Sequence, residues 1–195
     1  MLEYIRGKIV ELTPTYVVME ANDVGYFIHI SLQTYTLLEG KEQAIIYLYE
    51  AIREDAHTLY GFIEKAERQL FLLLISVSGI GSNTARMILS SFTVAELEHI
   101  ILTDNVNQLK SVKGIGLKTA QRVIIDLKDK VHKHPESSAL FVQKSRSDEK
   151  REEALAALMM LGFGATVSSK VVEKIVAESP ELTLEKIIKE SLKRI

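Results

Sequence analysis

The sequence predicts an α+β chain of several small parts: a five-stranded β-barrel, a helical middle built from a duplicated unit, and a closing bundle of three short helices. Three observations carry this reading. The first 63 residues fall into short runs rich in Ile, Val, Tyr and Phe, the apolar period changes at Glu64, and a 16-residue segment centred on Gly-Ile-Gly occurs twice.

The runs Tyr4–Val10, Thr15–Met19, Tyr26–Ile30, Ala44–Tyr49 and Thr58–Ile63 read as strands, most of them separated by the turn residues Thr13-Pro14, Asn22-Asp23 and Gly40. Five strands in so few residues favour a closed or nearly closed barrel, because a sheet this short cannot otherwise cover its edges. From Glu64, Leu70, Leu73, Leu74 and Val77 recur at the spacing of one helical face, and Gly79 ends that helix. Further helices are expected near 82–91, 93–103, 105–111 and 117–131. Residues 135–148, with Pro135 and four serines in the surrounding stretch, read as a flexible linker carrying a small apolar patch at Ala139–Val142. Beyond it, Ser147 or Asp148 caps a helix to Leu161 that Gly162 stops. Thr166 caps a second through Glu178, and Thr183 precedes a third over Leu184–Ile195. The expected domains are therefore 1–64, 65–134 and 149–195, joined by the linker.

Composition removes whole classes of chemistry. Without Cys there is no disulfide, thiolate zinc site, cysteine-held iron–sulfur cluster or thiol nucleophile. The five histidines show no metal-ligand spacing, and His132-Lys133-His134 reads as a solvated helix end. No metal and no cofactor is expected. The charged N-terminus lacks the core of a signal peptide, and the longest aliphatic or aromatic run, Phe71 to Ile75, is far too short to span a bilayer, so the chain is expected in the cytoplasm, away from membranes.

The net charge of −2 argues against a nucleic-acid binder until it is divided along the chain. Residues 1–63 carry −5, residues 64–134 carry +3 and residues 135–195 carry 0; within the middle part, residues 108–133 alone carry +5. One segment is suited to an anionic partner and another would repel it. Asp126 and Asp129 are expected to offset Lys128 and Lys130.

The repeat supplies the chemistry. Residues 74–89, LISVSGIGSNTARMIL, and 109–124, LKSVKGIGLKTAQRVI, share 8 of 16 positions without a gap. Each copy reads as helix, Gly-Ile-Gly, helix. The glycines reverse the chain tightly and keep side chains off the turn, so the amides after the second glycine face outward at a helix N-terminus, where partial positive charge gathers. Ile80 or Ile115 plugs each turn into the core. Two such cradles suit two phosphates at a fixed separation, as on a duplex backbone. A nucleotide-binding P-loop is not supported, because no GxxxxGK[ST] occurs.

These residues resemble the helix-hairpin-helix motif of DNA repair and recombination proteins, which binds DNA backbone without reading sequence. With AIREDAHTLYGF at 51–62, two hairpins in tandem and a short C-terminal bundle, nearly the whole chain is similar to the RuvA family of Holliday-junction-binding proteins. The resemblance implies an OB-fold for the barrel and an ubiquitin-associated-like fold for the last bundle. It implies a non-catalytic subunit that binds four-way junction DNA, holds it open and square, and recruits the RuvB ATPase for branch migration in recombination and repair. It implies a homotetramer, or two tetramers paired as an octamer, acting upstream of a junction resolvase. By match to the motif, DNA-backbone contacts fall on Gly79, Gly81, Ser82, Asn83, Gly114, Gly116, Lys118, Thr119 and Arg122. Relatives often carry Pro-Lys where this chain has Ser82-Asn83, so the first hairpin is expected to bind the more weakly. Glu54 and Asp55 match an acidic pin that repels phosphates at the crossover. Leu158, Leu161, Phe163 and Leu192 match positions that face RuvB. An enzyme built on the same hairpins, a glycosylase or nuclease, is the rival reading, but Asp126 lies too close to the hairpin and no aromatic cluster follows to hold a flipped base. A pure protein-interaction adaptor would leave the tandem phosphate-ready turns without a purpose.

Overall fold

The computed structural model describes residues 2–131, 146–179 and 181–195. It divides into two compact units, Met1–Ala139 and Leu140–Ile195. The expected linker core, its patch at Ala139–Val142 and His132-Lys133-His134 lie outside the described residues.

The first unit opens with five strands: β1 (Tyr4–Leu12), β2 (Tyr16–Ala21), β3 (Val24–Ile30), β4 (Gln43–Ile52) and β5 (His57–Phe62). They close into a barrel in the order β1-β2-β3-β5-β4, antiparallel throughout except for the β3–β5 pair, which is parallel. Alternation places Val17, Met19, Ile28, Ile30, Ile46 and Leu48 inside, each at most 2% exposed. The two-residue turn between β2 and β3 is Asn22-Asp23, both with positive φ, as a tight hairpin requires.

One element escaped the sequence reading. A helix, α1 (Leu32–Leu38), lies between β3 and β4. Ser31 caps it, its hydroxyl accepting from the Thr34 amide at 3.0 Å. The same Ser31 hydroxyl donates to Glu67, and Thr34 Oγ1 donates to the other Glu67 oxygen at 2.6 Å. Thr34 Oγ1 also accepts from the Ile63 amide at 3.2 Å. This buried knot ties the barrel to the first helix after it.

The helices that follow are α2 (Lys65–Ile75), α3 (Ser82–Ser91), α4 (Val94–Leu102), α5 (Val106–Lys110) and α6 (Leu117–Val131). The period-based expectation holds for each, with one correction: α2 stops at Ile75 rather than Gly79. Its last turn closes through the Ser76 and Val77 amides, and residues 76–79 already belong to the hairpin. Phe71 of α2 packs on Tyr49, Tyr60 and Phe62 of the barrel, with ring centroids 4.9–5.4 Å apart. Tyr60 and Phe62 thereby join the same buried cluster as the helices. Barrel and helices are therefore packed together through β5, while the barrel interior keeps a cluster of its own around Val17, Met19, Ile28 and Ile46.

The second unit packs α7 (Arg146–Met160), α8 (Ala165–Glu178) and α9 (Leu184–Arg194) around Ala154, Leu158, Val172, Ile175 and Ile187. Helix α7 begins at Arg146, so Ser147 and Asp148 lie inside it rather than capping it. Gly162 does end the α7 segment. With φ +96°, it lets the Phe163 amide reach the Leu158 carbonyl at 3.1 Å and its own amide the Met159 carbonyl at 3.0 Å, a Schellman closure. The N-cap of α8 is Gly164, which corrects the expected Thr166.

Candidate nucleic-acid interface

The two Gly-Ile-Gly turns are built alike. Gly79 and Gly114 have φ of +95° and +91°, a left-handed conformation that glycine adopts without steric cost. The Ile80 amide donates to the Val77 carbonyl at 3.0 Å, and the Ile115 amide to Val112 at 3.1 Å. Ile80 and Ile115 are 5% and 6% exposed and belong to one core cluster, so both turns are anchored in the same body. Gly81 and Gly116 then start helices α3 and α6, their carbonyls accepting from Ala85 and Ala120 at 2.9 Å.

Glycine at the start of a helix leaves the first amides without a side-chain cap. The contrast with neighbouring helices is direct. Thr93 and Glu96 form a reciprocal capping box on α4, and Asn105 caps α5. Gly81 makes no side-chain cap on α3, Gly116 has no side chain to make one on α6, and neither first turn contains an acidic residue. A Cβ placed on Gly79, Gly81, Gly114 or Gly116 would meet nothing within 4 Å, so all four approach open space. The amides at both helix starts are thus free for an outside anion.

Side chains around the turns differ. On the second hairpin Lys118 is exposed and Thr119 is half-buried. One turn further along α6, Arg122 sits 3.9 Å from Asp126, a loose pair between exposed groups. Asp126 therefore faces Arg122 rather than Lys128, and Lys128 pairs with Asp104 across from α6; the expected partners are corrected on both counts. On the first hairpin Asn83 Oδ1 accepts from Arg86 Nη2 at 3.0 Å, while Arg86 Nη1 donates to the carbonyls of Thr15 at 3.0 Å and Ile30 at 3.3 Å. Arg86 bolts the first hairpin to the barrel. Sequence reasoning passed over it, although its position three residues after Asn83 on one helical face was a usable signal.

Glu54 and Asp55 are exposed at the tip of the β4–β5 hairpin, whose turn is closed by the Arg53 amide donating to the Ala56 carbonyl at 2.8 Å. Neither carboxylate has an ion-pair partner among the described residues. Three residue pairs, Glu50–Leu59 to Ile52–His57, carry the tip beyond the Tyr49–Tyr60 pair that packs on Phe71, a projection of about 10 Å at the usual strand rise. A groove of about 430 Å³ runs along this hairpin beside the start of α3, lined by Ala51, Arg53, Ala56 and Thr58 on one side and by Gly81, Ser82 and Asn83 on the other. The structure thus brings the acidic tip and the first Gly-Ile-Gly turn to one surface.

In the C-terminal unit, Leu161 is 60% and Leu192 42% exposed, and Phe163 is half-buried against the core. Leu158 is fully buried, so its side chain supports the bundle from within instead of meeting a partner. Met159 and Met160, beside Leu161, are 50% and 90% exposed. Among the described residues no cluster of three or more His, Asp or Glu is placed to hold a metal, and no helix is long and apolar enough to cross a membrane.

Comparison with known proteins agrees with this architecture part by part. Residues 1–61 match the RuvA N-terminal domain, residues 71–129 the SAM-like helix-hairpin-helix tandem and residues 149–195 the RuvA C-terminal domain. A protein of Bacteroides thetaiotaomicron, named Holliday junction branch migration complex subunit RuvA, is 56% identical over the whole of both chains. The chain belongs to the RuvA family. Proteins of the same name from Christiangramia forsetii and Porphyromonas gingivalis are 51% and 45% identical, again over the full length of both chains. The family assignment agrees with the barrel, which is the OB-fold of RuvA proteins, and with the tandem hairpins that follow it.

Proposed function

We propose that this chain is the junction-binding subunit of a branch migration complex, gripping the backbone of a four-way DNA junction with two amide cradles per protomer. The relatives' shared name supports the substrate. The observation that carries the mechanism is the repeated turn with uncapped helix starts and four glycines facing open space. Backbone amides donate to phosphate oxygens whatever the base sequence, and so suit a junction that must slide.

Within this reading Gly79, Gly81, Ser82 and Asn83 hold one phosphate segment. Gly114, Gly116, Lys118 and Thr119 hold another, and Arg122 exchanges Asp126 for phosphate. Lys118 adds full charge at the second cradle; Asn83, held by Arg86, adds a hydrogen bond without charge. Glu54 and Asp55 act oppositely. A carboxylate about 4 Å from a phosphate is repelled by roughly 1 kcal/mol in water and about 4 kcal/mol at an effective dielectric of 20. Four copies around a tetramer would hold the crossover open while the hairpins pull on the arms. Two tetramers closing face to face would enclose it. The subunit itself is non-catalytic; RuvB supplies ATP hydrolysis and docks on the C-terminal bundle through Leu161, Phe163 and Leu192. The complex works in the cytoplasm, ahead of a junction resolvase.

The test is a mobility-shift comparison of a four-way junction with linear duplex of the same sequence, with and without RuvB and ATP. The junction should shift at far lower protein concentration and dissociate into products only when RuvB and ATP are both present. Equal affinity for both DNAs at low salt would overturn the proposal.

A further inference from the structure

The groove beside the acidic tip continues into a feature the backbone cradles leave unused. Residues 27 and 29 of β3 share the outer face of the barrel, because Ile28 and Ile30 between and beyond them fill its interior. Tyr16 of β2 stacks on Phe27, centroids 4.5 Å apart and planes inclined at 27°. Phe27 meets His29 edge-on at 5.2 Å, and His29 lies 5.7 Å from Tyr60 of β5. Four rings thus run across three adjacent strands. Phe27 is 50% exposed, although it sits at the centre of this row. Tyr16 is held in place by its hydroxyl, which donates to Glu11 at 2.6 Å.

The row ends in the groove. His29 and Tyr60 line it together with Arg53, Thr58, Ser82, Asn83 and Arg86. The groove therefore presents free helix-start amides, an exposed cation at Arg53 and the half-buried ring of His29, beyond which Phe27 is exposed. Its volume of about 430 Å³ falls in the range of sites that enclose a small molecule. Burial, and then the charge of Arg86, depress the pKa of His29, which keeps the imidazole neutral near pH 7 and its face suited to stacking.

We infer that the Tyr16–Phe27–His29 row, backed by the buried Tyr60, is a stacking platform for an unpaired nucleotide of the DNA strand whose phosphate is held by the first hairpin. This rests on the proposed junction-binding function and extends it to a specific site. Charge selects the occupant: a phosphate-bearing strand satisfies the amides and Arg53 that an apolar protein segment would leave unpaired. Ring faces are available on a base only where pairing is broken, and strand exchange is where that occurs. Stacking accepts every base, as a sliding junction requires.

The test compares a fully paired four-way junction with one carrying a single unpaired thymidine per strand at the crossover, using the full-length chain and its Phe27→Ala, Phe27→Leu and Phe27→Tyr variants. Stacking of one base predicts a preference of about 5- to 150-fold for the unpaired junction. Phe27→Ala and Phe27→Leu should abolish the preference while holding affinity for the paired junction within about twofold, and Phe27→Tyr should retain it. Equal wild-type affinity for the two junctions would overturn the inference, as would a preference that survives Phe27→Leu. So would a change in oligomer size on Phe27→Ala, which would make this face a contact between copies of the chain. Failure of the wild type to bind either junction would instead refute the parent function, and the inference with it.

Discussion

Replacing Gly81 and Gly116 together by alanine separates DNA binding from folding. Gly81 has φ −90° and ψ 168°, an extended conformation open to any residue, and Gly116 is likewise outside the left-handed region. A Cβ at either site meets nothing within 4 Å. Lower chain entropy in the unfolded state favours alanine by about 0.4–1 kcal/mol, while alanine is the poorer helix-start residue by a similar amount. The net change in stability should lie within about 1 kcal/mol. Each methyl, however, would stand in the open space through which, on the proposed cradle mechanism, a phosphate oxygen reaches the helix-start amides. Losing a hydrogen bond to a charged oxygen costs about 1.5–3 kcal/mol, or about 10- to 150-fold in affinity for each cradle disabled. Thermal unfolding by circular dichroism should leave Tm nearly unchanged, and a mobility shift at fixed salt should show weakened junction binding. Gly79→Ala is the contrasting control. At φ +95° a side chain is strained by about 1–2 kcal/mol, so that variant should lose Tm as well. A Gly81→Ala/Gly116→Ala protein with wild-type Tm and wild-type junction affinity would refute the cradle mechanism.

Lys118→Ala should flatten the dependence of log affinity on log salt by about 0.9 for each phosphate the variant no longer neutralises; an unchanged slope would place Lys118 away from the DNA. Glu54→Gln with Asp55→Gln should raise affinity for linear duplex severalfold and narrow the margin for junctions, and unchanged duplex binding would refute the repulsive role of the tip. Glu67→Ala should destabilise the first unit by about 2–4 kcal/mol, because Ser31 and Thr34 lose their buried acceptor. Burial, resisted by those two hydroxyl donors, pushes the Glu67 carboxyl above its ordinary value of 4.5, so from there up to the raised value the folded state binds more protons than the unfolded one. Its contribution to stability is complete below 4.5 and declines as pH rises through the folded pKa. Glu67→Gln should remove that decline, and parallel Tm–pH curves for variant and wild type would contradict it. Deleting residues 149–195 should leave junction affinity intact and abolish stimulation of RuvB ATPase; loss of junction binding would contradict the division of labour between the two units.

What the sequence made legible was local. Runs of Ile, Val, Tyr and Phe between turn residues found the five strands, period 3.6 found α2 to α6, and the two glycine pairs marked both turns because a left-handed φ leaves a residue-level trace. What stayed hidden depends on partners far apart in the chain. Helix α1 is short, and its cap residue Ser31 acquires its meaning from Glu67, 36 positions away. Leu158 and Leu161 look equivalent in an apolar stripe, yet only packing against α8 and α9 decides that the first is buried and the second 60% exposed. The aromatic row needs strand register before Tyr16, Phe27, His29 and Tyr60 can be seen to share a face.

The Ser82-Asn83 departure shows how the two levels combine. Taken by itself, it predicts a weaker first cradle for want of a cation. In the structure Asn83 is gripped by Arg86, which also holds the carbonyls of Thr15 and Ile30 on the barrel. The charge missing from position 83 is therefore present one helical turn later, where it fixes the hairpin against the barrel and, through it, against the acidic tip. The second hairpin instead leaves Lys118 exposed. Binding strength should accordingly reside in the second cradle, and the geometry of the crossover in the first. On that division Lys118→Ala lowers affinity for every DNA alike, whereas Arg86→Ala blunts the distinction between junction and duplex.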